Sequence, residues 1–267
     1  SAPTFYVTGQ PTRTDPAVRK LEQDVAAATA PDPYAGATVP IAQRLADTVE
    51  MQTLHMINSD PKRTPTFTMF GNPDFFFQTT DLSGGCAGSV VCANPGFAWN
   101  HGDVQDEIAN SWLGLVGPGV RNAGVDSTTW SDHTDIRPTM LAVLGLADGY
   151  VDDGRVLSQE LTQQGASSGA HGHGNTAQRL ADVDKQLNAP FGSFGLDTLK
   201  VSTKALASTD PLVYESLETR IANLTQQRND LAGAIRAALD GPWFRGQKLN
   251  EDQARDWIDE AQGLIDQ

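Results

Sequence analysis

The sequence predicts an α/β fold with flanking helices, followed by an α-helical C-terminal bundle, and three stretches carry that expectation. Trp112-Leu113-Gly114-Leu115-Val116 has no charge and ends at Gly117-Pro118-Gly119, the pattern of a buried parallel strand closed by a turn. Thr134-Asp135 precede Pro138, and Met140, Leu141, Val143 and Leu144 then run to Gly145. An acidic or hydroxyl cap, an early proline and a glycine stop make that a helix. Leu217, Ile221, Leu224, Arg228, Leu231, Ile235 and Ala238 alternate spacings of four and three, a heptad seam with one charged break. Residues 1–160 are expected to hold the α/β part with its N-terminal helices, and 161–267 a linker and helical extension.

In chain order, Phe5-Tyr6-Val7 reads as a short strand whose sheet neighbour is expected in a part of the protein outside this sequence. Asp15 caps and Pro16 opens a helix with Val18, Leu21, Glu22 and Val25 about a turn apart, ended by Pro31-Asp32-Pro33. A second helix is expected from about Val39 to Asn58, carrying Ile41, Leu45, Val49, Leu54 and Ile57. Thr66 to Phe70 alternates hydroxyl and apolar side chains, as a strand with unequal faces does. Phe75-Phe76-Phe77 reads as a strand buried on both faces, with an aromatic wall beside a substrate as the alternative. The strand at Trp112 and helix after Pro138 follow, and Asp148 to Leu157 is a turn-rich piece ending in a short strand.

Gln164 to Asn175 is a Gly/Ser/Ala linker by composition. Its His171 and His173 invite a metal reading, but a flexible loop holds ligands poorly. Helices are expected near Thr176 to Leu187 and Leu196 to Leu206. A long one runs from Pro211, after the Asp210 cap, to Asp240 before Gly241-Pro242. The last, Asn250 to Ile265, presents Ala254, Trp257, Ile258, Ala261 and Ile265 on one face and is expected to fold back on the long helix. The job read for this third is structural: covering a sheet, bounding a cleft, or self-association.

A net charge of −14 opposes nonspecific binding to nucleic acid or an anionic membrane surface. It leaves an anionic substrate open, since bound metals reverse the local potential. No apolar run approaches the ~20 residues needed to span a bilayer. Cys86 and Cys92, with five residues between them in a glycine-rich loop, are candidates for a disulfide, which would place the protein in an oxidising compartment. Two free thiols, or half of a metal site, are the alternatives.

Phe97-Ala98-Trp99-Asn100-His101-Gly102-Asp103, then the run to Gly117-Pro118-Gly119, then Thr134-Asp135-Ile136-x-Pro138-Thr139-x-Leu141-x-x-Leu144-Gly145-Leu146, resembles the C-terminal half of the alkaline phosphatase superfamily, over roughly Arg63 to Leu157. The closest likeness is to secreted bacterial phosphoesterases of the type I phosphodiesterase and nucleotide pyrophosphatase kind. The resemblance implies a partial alkaline-phosphatase-like sheet, a secreted or cell-envelope location and a phosphate-ester substrate. It also implies two divalent metals, zinc foremost, in the parent enzyme, with neither fully bound by this chain alone. By position His101 is the last ligand of the first metal, and Asp103, Asp106 and Glu107 are candidates to hold its second ring nitrogen. The family's earlier motifs are missing between Ser1 and Trp99: no Asp-x-x-x-His pair, no Asp-His-Gly, no recognisable Ser or Thr nucleophile. His55, the only histidine there, reads as a helix side. The chain therefore reads as part of a longer enzyme, and Ser1-Ala2-Pro3, without an initiator Met, fits that.

Asn100 imitates the Asp of an Asp-His-Gly motif, but a neutral amide is a poor zinc ligand, and it reads as a turn residue. Asp132-His133 is the rival metal pair; as part of the approach to the helix, with Asp135 or Thr134 as cap, it has an ordinary explanation. Arg137 could reach a phosphate or anchor the loop through Asp132 or Asp135. Asp152 and Asp153 read as a solvated turn, since calcium spacing is absent. Two functions follow: a C-terminal fragment of a two-metal phosphoesterase, inactive alone, or a non-catalytic secreted interaction module on a degenerate phosphatase-like core.

Overall fold

The computed structural model describes residues 3–77, 91–97, 101–165, 174–208 and 210–267. Asn100, Cys86, His171 and His173 lie outside them. The chain divides into two compact units: Ser1–Trp112 with Asp197–Ala222, and Leu113–Leu196 with Asn223–Gln267.

In the first unit Asp15 caps α1 (Pro16–Ala27), its carboxylate accepting the Ala17 N–H at 2.8 Å. A hairpin follows, β2 (Thr29–Asp32) with β3 (Ala37–Pro40), then β4 (Ala42–Ala46) and α2 (Thr48–Thr53). The single helix expected over 39–58 is thus two strands and a short helix. Thr38, Val39 and Ile41 are β-branched and Pro40 lacks an N–H, so strand pairing outcompetes a helix there. Asp47 and Glu50 close a capping box that starts α2 at Thr48, nine residues after the Val39 start that hydrophobic spacing alone suggests. His55 sits beyond α2 with φ of 56°, not on a helix side.

The central strand is β5 (Phe67–Gly71), buried at every residue, with antiparallel neighbours β1 (Thr4–Phe5) and β4. The N-terminal strand finds its neighbour within this chain and not outside it, with Phe5 opposite Phe67, 62 residues on, and their rings stacked at 4.4 Å. Leu45, Phe67, Met69, Leu206 and Tyr214 form this unit's core. Phe75–Phe77 forms no strand, and Phe76 is 41 % exposed.

In the second unit α4 (Ile136–Leu144) ends at Gly145 as its signals predict. Trp112–Val116, expected as a buried parallel strand, is neither strand nor helix; Trp112 is 88 % and Val116 98 % exposed. No backbone hydrogen bond joins these five residues to any described segment. A strand needs a neighbour for its ladder, and none is present among the described residues. The short strand expected at the end of Asp148–Leu157 does not form; a one-turn 3₁₀ helix follows at Ser158–Glu160, and Leu161 makes an isolated bridge to Val120.

The C-terminal region is helical as predicted: α5 (Gly174–Asn188), α6 (Ser193–Leu206), α7 (Pro211–Phe244) and α8 (Glu251–Ile265). α8 packs along α5, and Ala254, Ile258, Ala261 and Leu264 share a core with Leu231, Ile235 and Leu239 of α7. Pro242 does not stop α7; it costs one hydrogen bond in the last turn, and Trp243, 5 % exposed, joins the core. Arg228, the charged break in the seam, is fully buried, 5.6 Å over the Phe194 ring, and donates to the Asn188 carbonyl at 3.3 Å. Burial pushes its guanidinium down to about 10. No helix among the described residues is long and apolar enough to cross a membrane.

Candidate functional site

His101 opens a short loop that β5 pins in place. Gly102 takes φ of 82°, a conformation that favours glycine, and the chain turns so that His101 is exposed while Asp103 is buried. Asp103 accepts the Gly71 N–H at 3.2 Å and the Val104 N–H at 2.8 Å. Gln105 donates its amide to the Gly71 carbonyl at 2.6 Å. Gly71 is the last residue of β5, so both of its backbone groups are held by side chains of the loop. Burial raises the Asp103 carboxyl, and the Val104 and Gly71 amides oppose the shift.

Of the three carboxylates considered as partners for the imidazole, Asp103 bonds backbone amides instead. Asp106 and Glu107 are exposed in the first turn of α3 (Asp106–Ala109). Among the described residues no side chain hydrogen-bonds to His101. One imidazole does not hold a two-metal centre, and the described residues contain no group of three His, Cys, Asp or Glu side chains able to hold a metal. Cys92 is disulfide-bonded.

The Thr134-Asp135-Ile136-Arg137-Pro138-Thr139 stretch has a different role. Asp132 caps a 3₁₀ turn, His133–Asp135, accepting the Thr134 N–H at 2.8 Å, while Asp135 accepts the Asp132 N–H at 3.1 Å. The Lys185 ammonium, from α5, reaches Asp132 at 2.8 Å, Thr134 Oγ1 at 2.6 Å and Asp135 at 2.9 Å. Asp135 also accepts the Arg155 N–H at 2.9 Å, and Thr139 Oγ1 accepts the Leu157 N–H at 3.0 Å. The turn is thus stitched to Asp153-Gly154-Arg155-Val156-Leu157. Gly154 lies so close that a Cβ there would stand 2.0 Å from the Thr134 carbonyl oxygen.

Asp132 thus serves as a cap and an ion-pair partner, and His133 is exposed. Arg137 does anchor a loop, but through Asp148 and through Asp152 at 2.7 Å, with its guanidinium 4.5 Å over the Tyr150 ring, and not through Asp132 or Asp135. Asp152 and Asp153 each hold an arginine, Arg137 and Arg236, so the turn they form is ion-paired. Lys185 lies within the helix expected near Thr176 to Leu187, and nothing in its local sequence signals that it is buried. Comparison with protein-family models, with curated proteins and with solved structures finds no match.

Proposed function

We propose that this chain is the C-terminal portion of a metal-dependent phosphoric ester hydrolase resembling the alkaline phosphatase superfamily, and that it is inactive alone. In this reading His101 is the last ligand of the first of two divalent metals, zinc foremost, and the surrounding loop forms part of the cleft wall. The parent acts on a phosphate ester and is exported to the envelope or medium. The observation that carries the proposal is Trp112–Val116. Five uncharged residues whose backbone groups find no partner among the described residues, with Trp112 and Val116 exposed, have the chemistry of a sheet strand whose neighbours come from another stretch of polypeptide. The pinned, outward-facing His101 precedes that segment in the order the resemblance requires.

The second reading, a non-catalytic secreted interaction module, is favoured by exposed apolar residues on and after α4: Met140, Leu144, Leu146, Tyr150 and Val151. Both readings need a partner surface, and they differ in whether a catalytic half belongs to the same polypeptide.

The test is hydrolysis of bis(p-nitrophenyl) phosphate and p-nitrophenyl phosphate with added zinc, by this chain and by the native full-length protein. The proposal expects turnover by the longer protein only. A native protein of 28.6 kDa without turnover would overturn it in favour of the interaction module.

A further inference from the structure

The first unit contains a charge cluster that neither functional reading uses. It joins three segments distant in sequence: Arg13 with α1, the Asp47–Glu50 capping box, and the first turns of α7. Arg19 alone reaches Glu22 at 2.6 Å, Asp47 at 2.9 Å and Glu218 at 2.5 Å. Arg13 also pairs with Glu218. The Arg19 guanidinium stacks 4.6 Å over the Tyr214 ring, closing the α7 side. Glu50 accepts the Asp47 N–H at 3.0 Å, and its carboxyl adjoins that of Asp47.

Glu22, Asp47, Glu50 and Glu218 are each no more than 2 % exposed. Two guanidiniums therefore face four buried carboxyls. With all four ionised, the cluster would hold a surplus of negative charge out of water, where desolvation strongly disfavours an unpaired ion. The geometry shows which carboxyl oxygens lack a partner: Glu22 Oε1 and Glu50 Oε1 are buried with no hydrogen bond, while the second oxygen of Glu22 meets Arg19 and that of Glu50 the Asp47 N–H. A carboxyl in that position keeps its proton instead.

We propose that this cluster is a proton-operated latch, closed while its surplus carboxyls are protonated, whose discharge as pH rises loosens residues 211–222 of α7 from α1 and the Asp47–Glu50 turn. Burial pushes Glu22 up to about 7 against the charges of Arg19 and Arg13, with Asp47 adding to the rise. Glu218 is pushed up by burial and by Asp47, to about 8, and Glu50 well above the usual carboxylate range by burial and by Asp47. Asp47 stays the ionised member: burial would raise it, but hydrogen bonds with Glu218, Glu50 and Val49 and the charge of Arg19 bring it down to about 2. Tyr214 is raised by burial and by all four carboxyls and stays neutral throughout. The titrating groups hold more protons folded than unfolded, so closure is favoured below the ordinary carboxylate range and lost as pH rises through the folded values.

Amide hydrogen exchange of residues 211–222 in the whole chain, corrected for intrinsic rates, tests this between pH 6 and pH 8. One group centred near pH 7 raises the opening constant by about tenfold over that interval, and Glu22→Gln and Glu50→Gln are each expected to flatten the rise. A protection factor in the wild-type chain that is flat with pH would overturn the latch, whatever the variants do. So would an unchanged slope in both variants. If one variant fails to fold, the other and the wild-type profile still decide.

Discussion

Lys185 holds Asp132, Thr134 and Asp135 at once while itself only 2 % exposed, so its removal leaves Asp135 buried beside backbone donors alone. Lys185→Met should cost about 3–5 kcal/mol, read as a lower midpoint in urea denaturation. Gly154→Ala meets the Thr134 carbonyl directly and should cost more than the ~1–3 kcal/mol typical of overpacking, with the same readout. These residues account for much of the Thr134–Thr139 motif physically: its polar side chains are consumed in local anchoring. The caps at Asp15, Asp47 and Asn250 were present in the letters, though only Asp15 was read as a cap. The burial of Lys185, Arg228 and Glu22 was not legible, because a charged residue is buried only when distant segments supply its counter-ions.

At the scale of elements, α1, α4 and the four C-terminal helices follow from caps, prolines and apolar spacing, and β5 is a strand where its alternation places one, although both of its faces are buried where the alternation implies unequal ones. The stretch from about Val39 to Asn58 has the local pattern of one helix because Ile41, Leu45 and Val49 repeat every four residues, but β-branched residues and Pro40 sit among them and it forms strands and a short helix instead. Long-range pairing with β5 settled the matter, and no local window contains that partner. Trp112–Val116 is the element on which the functional proposal turns. Val116→Asp in this chain should change stability by no more than about 0.5 kcal/mol, since the side chain is 98 % exposed. In the longer protein that the proposal requires, the same change should cost about 3 kcal/mol or more, because a charge would enter a sheet interior. Denaturation midpoints of the two pairs of proteins check this, and equal small effects in both would remove the strand argument.

For the molecule as a whole, protonation and stability are linked through carboxyls in both units. In the second unit Asp184 is 5 % exposed with Oδ1 unpartnered, and burial pushes it up to about 7 against Arg236 and Lys185. Glu22, Glu218 and Asp184 all bind protons more tightly folded than unfolded, so stability should fall as pH rises from about 5 to 8. Asp47 works the other way, and its contribution is lost only as pH falls toward about 2. The melting temperature is therefore expected to be higher at pH 5 than at pH 8, and a reversed order would contradict these assignments.

The measurement that bears most directly on the central claim is metal content per native full-length protein by mass spectrometry, with and without His101→Ala. The account predicts two divalent ions per chain in the native protein and one in the variant. Two ions in both, or none in either, would contradict the assignment of His101 as a metal ligand and leave the exposed apolar surface to be explained by a binding partner instead.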